Sequence, residues 1–386
     1  MSSPRLASRT AAIAPFQVME LVKRAVALQQ AGRPVIHLSI GEPDFTAPEP
    51  VVAALERAAR AGRTQYTAAV GLSELREAIA RDYLDRHGLH IDPARVIVTA
   101  GASAALSLAC CALVDVGDEV LVTDPSYPCN RHFVAAFDGR PVPVPVFADT
   151  RFQMTEALLE RHWGPRTRGT LLASPANPTG TSIPFDELAR IVQAVRRRSG
   201  FALIDEIYLG LTEGEGARSA LECGDDVIVV NSFSKTFQMT GWRLGWLVVP
   251  PQTVATFEKL SQNLYICASS LAQQAALACF DPASQAVYAE RRKILRQRRD
   301  WIVPALRTLG FEIPVVPDGA FYVWLDATRF GESGALANRL LEEAWVSLVP
   351  GHDFGQNDPG RWLRLSYATD QAKLEEAVAR MARCLA

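Results

Sequence analysis

The chain has 386 residues, 48% of them hydrophobic and 21% charged, with a formal net charge of -2. That length accommodates two domains, or one large domain with a smaller one, in an ordinary globular composition. So small a net charge gives no nucleic-acid footprint and no anionic membrane partner, and six dispersed histidines and seven scattered cysteines without a CxxC pair make a metal site an unexpected feature.

The N-terminal MSSPRLASRTAAIAPFQ lacks a continuous apolar core and makes a poor signal peptide. No uncharged apolar run approaches the roughly 20 residues of a membrane span. The protein is expected to be soluble and cytoplasmic, with reduced thiols. Forty Lys+Arg include only five lysines, Lys23, Lys235, Lys259, Lys293 and Lys373, so a lysine in an unusual setting stands out.

The elements alternate along the chain. A helix is expected over 16–31. β-Branched runs at 35–39, 95–99, 119–123, 169–174, 201–205, 227–232 and 244–249 read as strands, with helical spacing over 72–87, 102–114 and 185–198 between them. Near-continuous apolar runs such as VIVV (227–230) fit strands buried on both faces. The expected fold class is α/β, a mostly parallel seven-stranded sheet sandwiched by helices. His87 and His90 are read as surface residues of a polar loop. Beyond about residue 281 the texture changes to an Arg-rich helix (288–309), short strands (321–325, 362–365) and helices (334–344, 371–385). These form a smaller α+β unit, against which the 16–31 helix is expected to pack.

Doubly wound sheets bind ligands at the C-terminal ends of their strands. The polar residues expected there are Asn177 in PANPTG, Asp205 and Tyr208 after FALID, Ser232, Ser234 and Lys235 after VIVVN, and the helix start Gly101-Ala102-Ser103 after RVIVTA. A helix N-terminus of small residues offers free amides to a phosphate, and Ser103, Ser232 and the Arg243 guanidinium can complete the cup. A desolvated lysine beside a cation has a lowered pKa and a nucleophilic amine. A carboxylate in the same crevice suits a protonated ring nitrogen. Phosphate, carbonyl and ring nitrogen together describe pyridoxal 5′-phosphate. Taken singly, each residue has a plainer reading: helix cap, core tyrosine, turn, loop hydroxyl or solvated charge.

The order of these motifs carries a resemblance. SFSKTFQMTGWRLGW (232–246) resembles the lysine signature of the class I/II aminotransferases, the aspartate-aminotransferase superfamily of fold type I. LSIGEPDF (38–45), YTAAVGLSELREAI (66–79), DPSYP (124–128), SPANPTG (174–180), DEIY (205–208), DGAFYVW (318–324) and WLRLSYA (362–368) follow in the family's order. The resemblance implies a pyridoxal-phosphate-dependent transferase of fold type I, with a large cofactor-binding domain over 46–285 and a small domain built from 1–45 and 286–386. It implies a Schiff base on Lys235, which then shuttles the substrate proton; Asp205 at the pyridine nitrogen; Tyr208 and Asn177 at the phenolic oxygen; and Tyr127 on the ring face. Gly101, Ala102, Ser103, Ser232, Arg243 and, less directly, Ser234 fall to the phosphate, with Tyr66 reaching the phosphate of a neighbouring subunit in a homodimer. Arg364, with Gly41 and Asn177, falls to the substrate α-carboxylate; a lone arginine in an apolar strand needs an anionic partner.

The expected reaction is ping-pong transfer of an amino group from an L-amino acid to a 2-oxo acid, 2-oxoglutarate or pyruvate. A lyase on the same fold, of the C–S β-lyase or aminocyclopropane-carboxylate-synthase kind, is the alternative, and a non-enzymatic regulator a remote one, since no basic recognition helix precedes the first motif. Arg131 is a candidate for a distal carboxylate and equally a surface arginine. His352, in a loop that resembles a substrate-adjacent one, either senses the side chain or caps the loop. Phe16 and Met19 are candidate pocket residues, with core packing the plainer reading. The lack of an evident second arginine tilts the expected donor towards neutral or aromatic amino acids.

Overall fold

The computed structural model describes residues 4–15 and 17–386; Phe16 and the side chains of residues 17–19 and 215 lie outside the described residues, and with them the candidate pocket positions Phe16 and Met19. The first strand, β1 (Ile36–His37), is shorter than the 35–39 expected and stays out of the large sheet. It pairs in parallel with Val346–Ser347 instead. The large sheet contains β2 (Val96–Thr99), β3 (Glu119–Asp124), β4 (Arg140–Pro145), β5 (Thr167–Ala173), β6 (Phe201–Asp205), β7 (Ile228–Ser232) and β8 (Gly245–Val248), in the order β2-β8-β7-β6-β5-β3-β4. Only β8 runs antiparallel to its neighbours.

The seventh strand, β4, was hidden by its prolines. In RPVPVP, Arg140 and Val146 donate N–H to the carbonyls of Asp118 and Asp124, so the even-numbered amides face β3. Pro141, Pro143 and Pro145 take the alternate positions, whose amides would face the open edge. Proline has no N–H to offer there, and an edge so made cannot template another strand.

Alternation along the buried strands serves two cores. Leu172, Ile204 and Val229 face one cluster, with the helices Glu49–Arg60, Ser73–His87 and Phe185–Arg196; Leu171, Leu203, Ile228 and Val230 face the other, with Ala102–Leu113 and Val254–Leu264. The helix Phe185–Arg196 shows the logic: Leu188, Ile191, Val192 and Val195 make one apolar stripe. Ser73–His87 buries Leu75, Ile79 and Tyr83 and stops at Gly88, whose φ of 67° allows the left-handed cap. His87 therefore ends a helix, half-buried against Tyr83, and is no loop residue; His90 is exposed.

A third core gathers Ile36 and Leu38 with Ile302, Phe321, Leu325, Leu340, Leu363 and Leu374, around β9 (Tyr322–Asp326), β11 (Val349–Pro350) and β12 (Trp362–Ser366), β10 being the Val346–Ser347 partner of β1. The helix Gln17–Gln30 packs on this unit through Ala25, Val35 and Leu341. The long helix Pro282–Leu309 joins the cores: Tyr288 lies in one, Leu295, Ile302 and Leu306 in the other.

Candidate active site

Loops leaving the C-terminal ends of β2, β3, β5, β6 and β7 meet the segment Ser39–Glu42 and β12 in a cleft of about 440 Å³. Gly41, Ala102, Ser103, Tyr127, Asn177, Asp205, Tyr208, Ser234, Lys235, Arg243 and Arg364, all singled out from sequence, line it.

Lys235 donates from Nζ to the Gly41 carbonyl (2.6 Å). Burial pushes its ammonium down to about 8; Glu42 opposes the shift, the Arg364 and Arg243 guanidiniums reinforce it, and Asp205 opposes it. At pH 7 such a group presents about 300-fold more free amine than an unperturbed lysine. Asp205, at the end of β6 and 5% exposed, accepts one hydrogen bond from the Ile207 amide (3.0 Å). Burial raises its carboxyl to about 6, against the lowering effects of that bond and of Lys235.

Tyr208 is buried, its hydroxyl 2.8 Å from that of Tyr322, and the two rings meet edge to face at 5.7 Å. Tyr322 lies within DGAFYVW, yet its role was not legible, because its partner is distant in sequence. It also explains Gly41, where a Cβ would stand 2.8 Å from the Tyr322 hydroxyl. Tyr127 caps the helix Pro128–Ala136, half-buried.

At the opposite end of the cleft, Gly101 caps the helix Ala102–Leu113 with φ 88°, and no acidic residue occupies its first turn. A Cβ on Gly101 would lie 2.5 Å from Arg243 Nη2, and one on Gly245 would lie 2.8 Å from the Ala102 amide nitrogen. Glycine at both places lets β8, the helix start and the guanidinium close up together. Arg243 donates to the Thr240 carbonyl (2.9 Å) and forms no ion pair among the described residues. Ser103 is exposed beside it. Ser232 sits one step behind the cleft: its Oγ lies 3.1 Å from the Leu244 carbonyl and 3.0 Å from Ser234 Oγ, and it accepts from the Ser234 amide (3.0 Å).

Arg364, 4% exposed, projects from β12. Its Nη1 donates to Asn177 Oδ1 (2.8 Å) and its Nη2 to the Ser39 carbonyl (2.6 Å). Because a guanidinium only donates, the Asn177 oxygen must face it, leaving the amide nitrogen free to donate elsewhere. The Tyr322 and Phe354 rings flank the guanidinium at 4.6 and 4.9 Å. Its Nε is buried without a partner, and among the described residues no carboxylate pairs with it. A buried cation bonded only to neutral oxygens is costly unless an anion arrives.

Besides Gly101 and Ser232, which stand just behind its lining, three described candidates fall outside the cleft. Tyr66 is 78% exposed on the surface. Arg131 donates to the Asp353 carbonyl (3.0 Å) and His352 lies 3.6 Å from Glu332; neither lines the cleft. Sequence reasoning passed over Val22, Ile40, Glu42 and Thr240, which do. Among the described residues, no helix is long and apolar enough to cross a membrane, and no three or more His, Cys, Asp or Glu side chains group so as to hold a metal ion.

Residues 33–381 match the family described as aminotransferase class I and II. The chain belongs to this family. Among class I and II aminotransferases, the valine–pyruvate aminotransferase of Mycobacterium tuberculosis is 38% identical over 374 residues, 96% of each chain. The aspartate aminotransferase of Thermotoga maritima is 34% identical, over 95% of each chain. A crystal structure of an aminotransferase from Mycobacterium tuberculosis superposes with a TM-score of 0.95 at 38% identity, covering 99% of both chains. The aspartate aminotransferase of Thermus thermophilus with maleate gives 0.92 at 34%, covering 99% of this chain and 100% of the other. The fold is fold type I, and the reaction is amino-group transfer between an amino acid and a 2-oxo acid.

Aminotransferases of this family depend on pyridoxal 5′-phosphate, and the residues present fit that group. The amine of Lys235 has a lowered pKa, the buried acid Asp205 has no hydrogen-bonded cation among the described residues, and a helix N-terminus with an adjoining guanidinium offers a phosphate cradle. All three face one cleft.

Proposed function

We propose that this aminotransferase takes neutral L-amino acids as donors and a small monocarboxylic 2-oxo acid such as pyruvate as acceptor. The observation that carries the reading is the distribution of cations. Among the described residues of one chain, the cleft is lined by Lys235, Arg243 and Arg364 alone among Lys and Arg, with Glu42 and Asp205 as its carboxylates. Arg243 stands at the helix start and Lys235 beside Asp205, so one guanidinium, Arg364, remains for one substrate carboxylate. A distal carboxylate would be desolvated without a cation. The relative named as a valine–pyruvate aminotransferase supports the same reading.

The placements support these roles. Lys235 would hold the cofactor and carry the proton that leaves the substrate Cα, and Asp205 would hold the ring nitrogen protonated. When bound, the cofactor supplies an electron sink for the Cα bonds. Gly101, Ala102, Ser103, Ser234 and Arg243 cradle the phosphate, with Ser232 orienting Ser234. Tyr127 provides an aromatic face. Asn177 and Tyr208 would donate to the phenolic oxygen, with the Tyr208 hydroxyl then accepting from Tyr322. Arg364 grips the α-carboxylate by its fork, with Asn177 and Gly41 beside it, fixing the angle of the Cα–H bond.

We also propose a homodimer, supported by the exposed ring of Tyr66, which would reach the partner's phosphate cradle. A division into residues 46–285 and 1–45 with 286–386 is supported by the separate cores bridged by Pro282–Leu309. Seven free cysteines support a cytoplasmic protein. The experiment is a panel of donors against pyruvate and 2-oxoglutarate. Neutral donors with pyruvate should give the highest kcat/KM; aspartate with 2-oxoglutarate as the best pair would refute the reading.

A further inference from the structure

Four aliphatic side chains larger than alanine line the cleft without a part in the chemistry described above: Leu106 and Ile207 on the large sheet's side, and Val22, on the helix Gln17–Gln30, and Ile40 on the side of Arg364. Ile40 is 38% exposed, an unusual state for an isoleucine in a segment whose neighbours Leu38 and Ser39 are buried. Its position along the chain is informative. The residue before it, Ser39, gives its carbonyl to Arg364 Nη2 at 2.6 Å, and the residue after it, Gly41, gives its carbonyl to Lys235 Nζ at 2.6 Å. Residue 40 thus stands between the guanidinium that takes the substrate carboxylate and the amine that takes the Cα proton. With the carboxylate, the nitrogen and the proton of Cα assigned to Arg364, the cofactor and Lys235, the side chain is the one substituent left, and Val22 and Ile40 are the aliphatic side chains that the unit bearing Arg364 offers it in the cleft.

Val22 and Ile40 belong to the same body as Arg364. The helix Gln17–Gln30 is fixed to the smaller unit by Ala25 against Val35 and Leu341, and by the Arg24–Glu342 ion pair (2.5 Å). β1, two residues before Ser39, is paired with Val346–Ser347 of that unit. Lys235 and Asp205 stand on the large sheet's loops. The same unit therefore presents the carboxylate fork and two aliphatic walls together.

We propose that Val22 and Ile40 are specificity-determining residues that bind an aliphatic donor side chain of three or four carbons. This rests on the aminotransferase reading and on Arg364 as the carboxylate clamp. Each methylene buried between such walls strengthens binding by about 0.8 kcal/mol, about fourfold. Neither side chain carries a hydroxyl or amide, so their own contribution to discrimination follows apolar area.

Two readouts test it on the holoenzyme. In the first, unreactive straight-chain acids from propanoate to pentanoate, and 4-methylpentanoate, are titrated by calorimetry. Affinity should rise about fourfold per methylene. In Ile40→Ala and Val22→Ala the gain should shrink, so that the pentanoate-to-propanoate ratio falls about tenfold. In the second, the half-reaction is followed with L-alanine, L-2-aminobutyrate, L-norvaline, L-leucine and L-aspartate. The norvaline-to-alanine ratio of rate constants should fall by the same factor in both variants. Equal losses on alanine and norvaline, or wild-type preference for aspartate over norvaline, would overturn the proposal while leaving transamination intact. Failure of every donor to react would overturn the aminotransferase reading, and the proposal with it. Val22 is half-exposed on a helix, so its variant remains a test if Ile40→Ala folds poorly.

Discussion

Replacing Asp205 by asparagine should shift the stability of the cofactor-free protein in the variant's favour as pH rises. The carboxyl is 5% exposed and its pKa is raised from 3.8 to about 6, first by burial. A carboxyl whose folded pKa lies above its unfolded one costs nothing below the unfolded value; the cost grows between the two and is complete above the folded one. Two units correspond to about 3 kcal/mol at pH 7.5, and the same relation leaves about 1 kcal/mol at pH 4.5. Asparagine keeps the acceptor for the Ile207 amide but buries an unpaired N–H₂ in place of the second oxygen, a penalty of about 1–3 kcal/mol that does not vary with pH. The signature is therefore a slope. The stability difference, variant minus wild type, should move in the variant's favour by about 2 kcal/mol between pH 4.5 and 7.5. Urea unfolding of both cofactor-free proteins at several pH values measures it. Adding pyridoxal phosphate should reverse the order, because only the carboxylate gains a pyridinium partner. A difference independent of pH, or one that declines as pH rises, would refute the assignment of a desolvated acid at this position.

Arg364→Lys should lower kcat/KM for every donor by about 10²–10³, because an ammonium cannot reproduce the fork held by Asn177 and Ser39; steady-state kinetics on several donors checks that the loss is uniform. Gly101→Ala puts a methyl at φ 88° and 2.5 Å from Arg243 Nη2, so pyridoxal phosphate affinity, measured by fluorescence titration, should fall at least about tenfold without loss of the fold. Capture of pyridoxal phosphate by the cofactor-free protein should accelerate about tenfold per pH unit up to about 8 and then level off, since the free amine of Lys235 is the reacting form. A rate still climbing at pH 10 would show an unperturbed lysine.

The parts legible in the sequence were those whose signal is local. VIVV and FALID declare buried strands by composition, and the polar residues that follow them are fixed by chain continuity at the same sheet edge. β4 was invisible because its hydrogen-bonding amides alternate with prolines, and proline counts against a strand unless the strand is known to be an edge. The 35–39 run reads as a sheet strand by composition, but its partner lies three hundred residues away, at Val346–Ser347, and no local pattern announces that. The same limit hid Tyr322 and Ile40. Their meaning depends on Tyr208, Arg364 and Lys235, which reach them only when the two units are assembled. Arg131 and His352 stand apart from the cleft lining for a related reason. Sequence places them near Tyr127 and the 351–355 loop, but the fold turns Arg131 onto the Asp353 carbonyl and His352 towards Glu332.

The most direct measurement of the central claim is a single half-reaction on the holoenzyme. One neutral L-amino acid is added without a 2-oxo acid, and the cofactor spectrum, the 2-oxo acid formed and ammonia are followed together. The wild-type enzyme should yield one equivalent of 2-oxo acid per subunit, release no ammonia, stop, and resume when pyruvate is added; Lys235→Ala should yield none on that timescale. Continuous release of ammonia without an acceptor, or an unimpaired half-reaction in Lys235→Ala, would contradict amino-group transfer at this lysine.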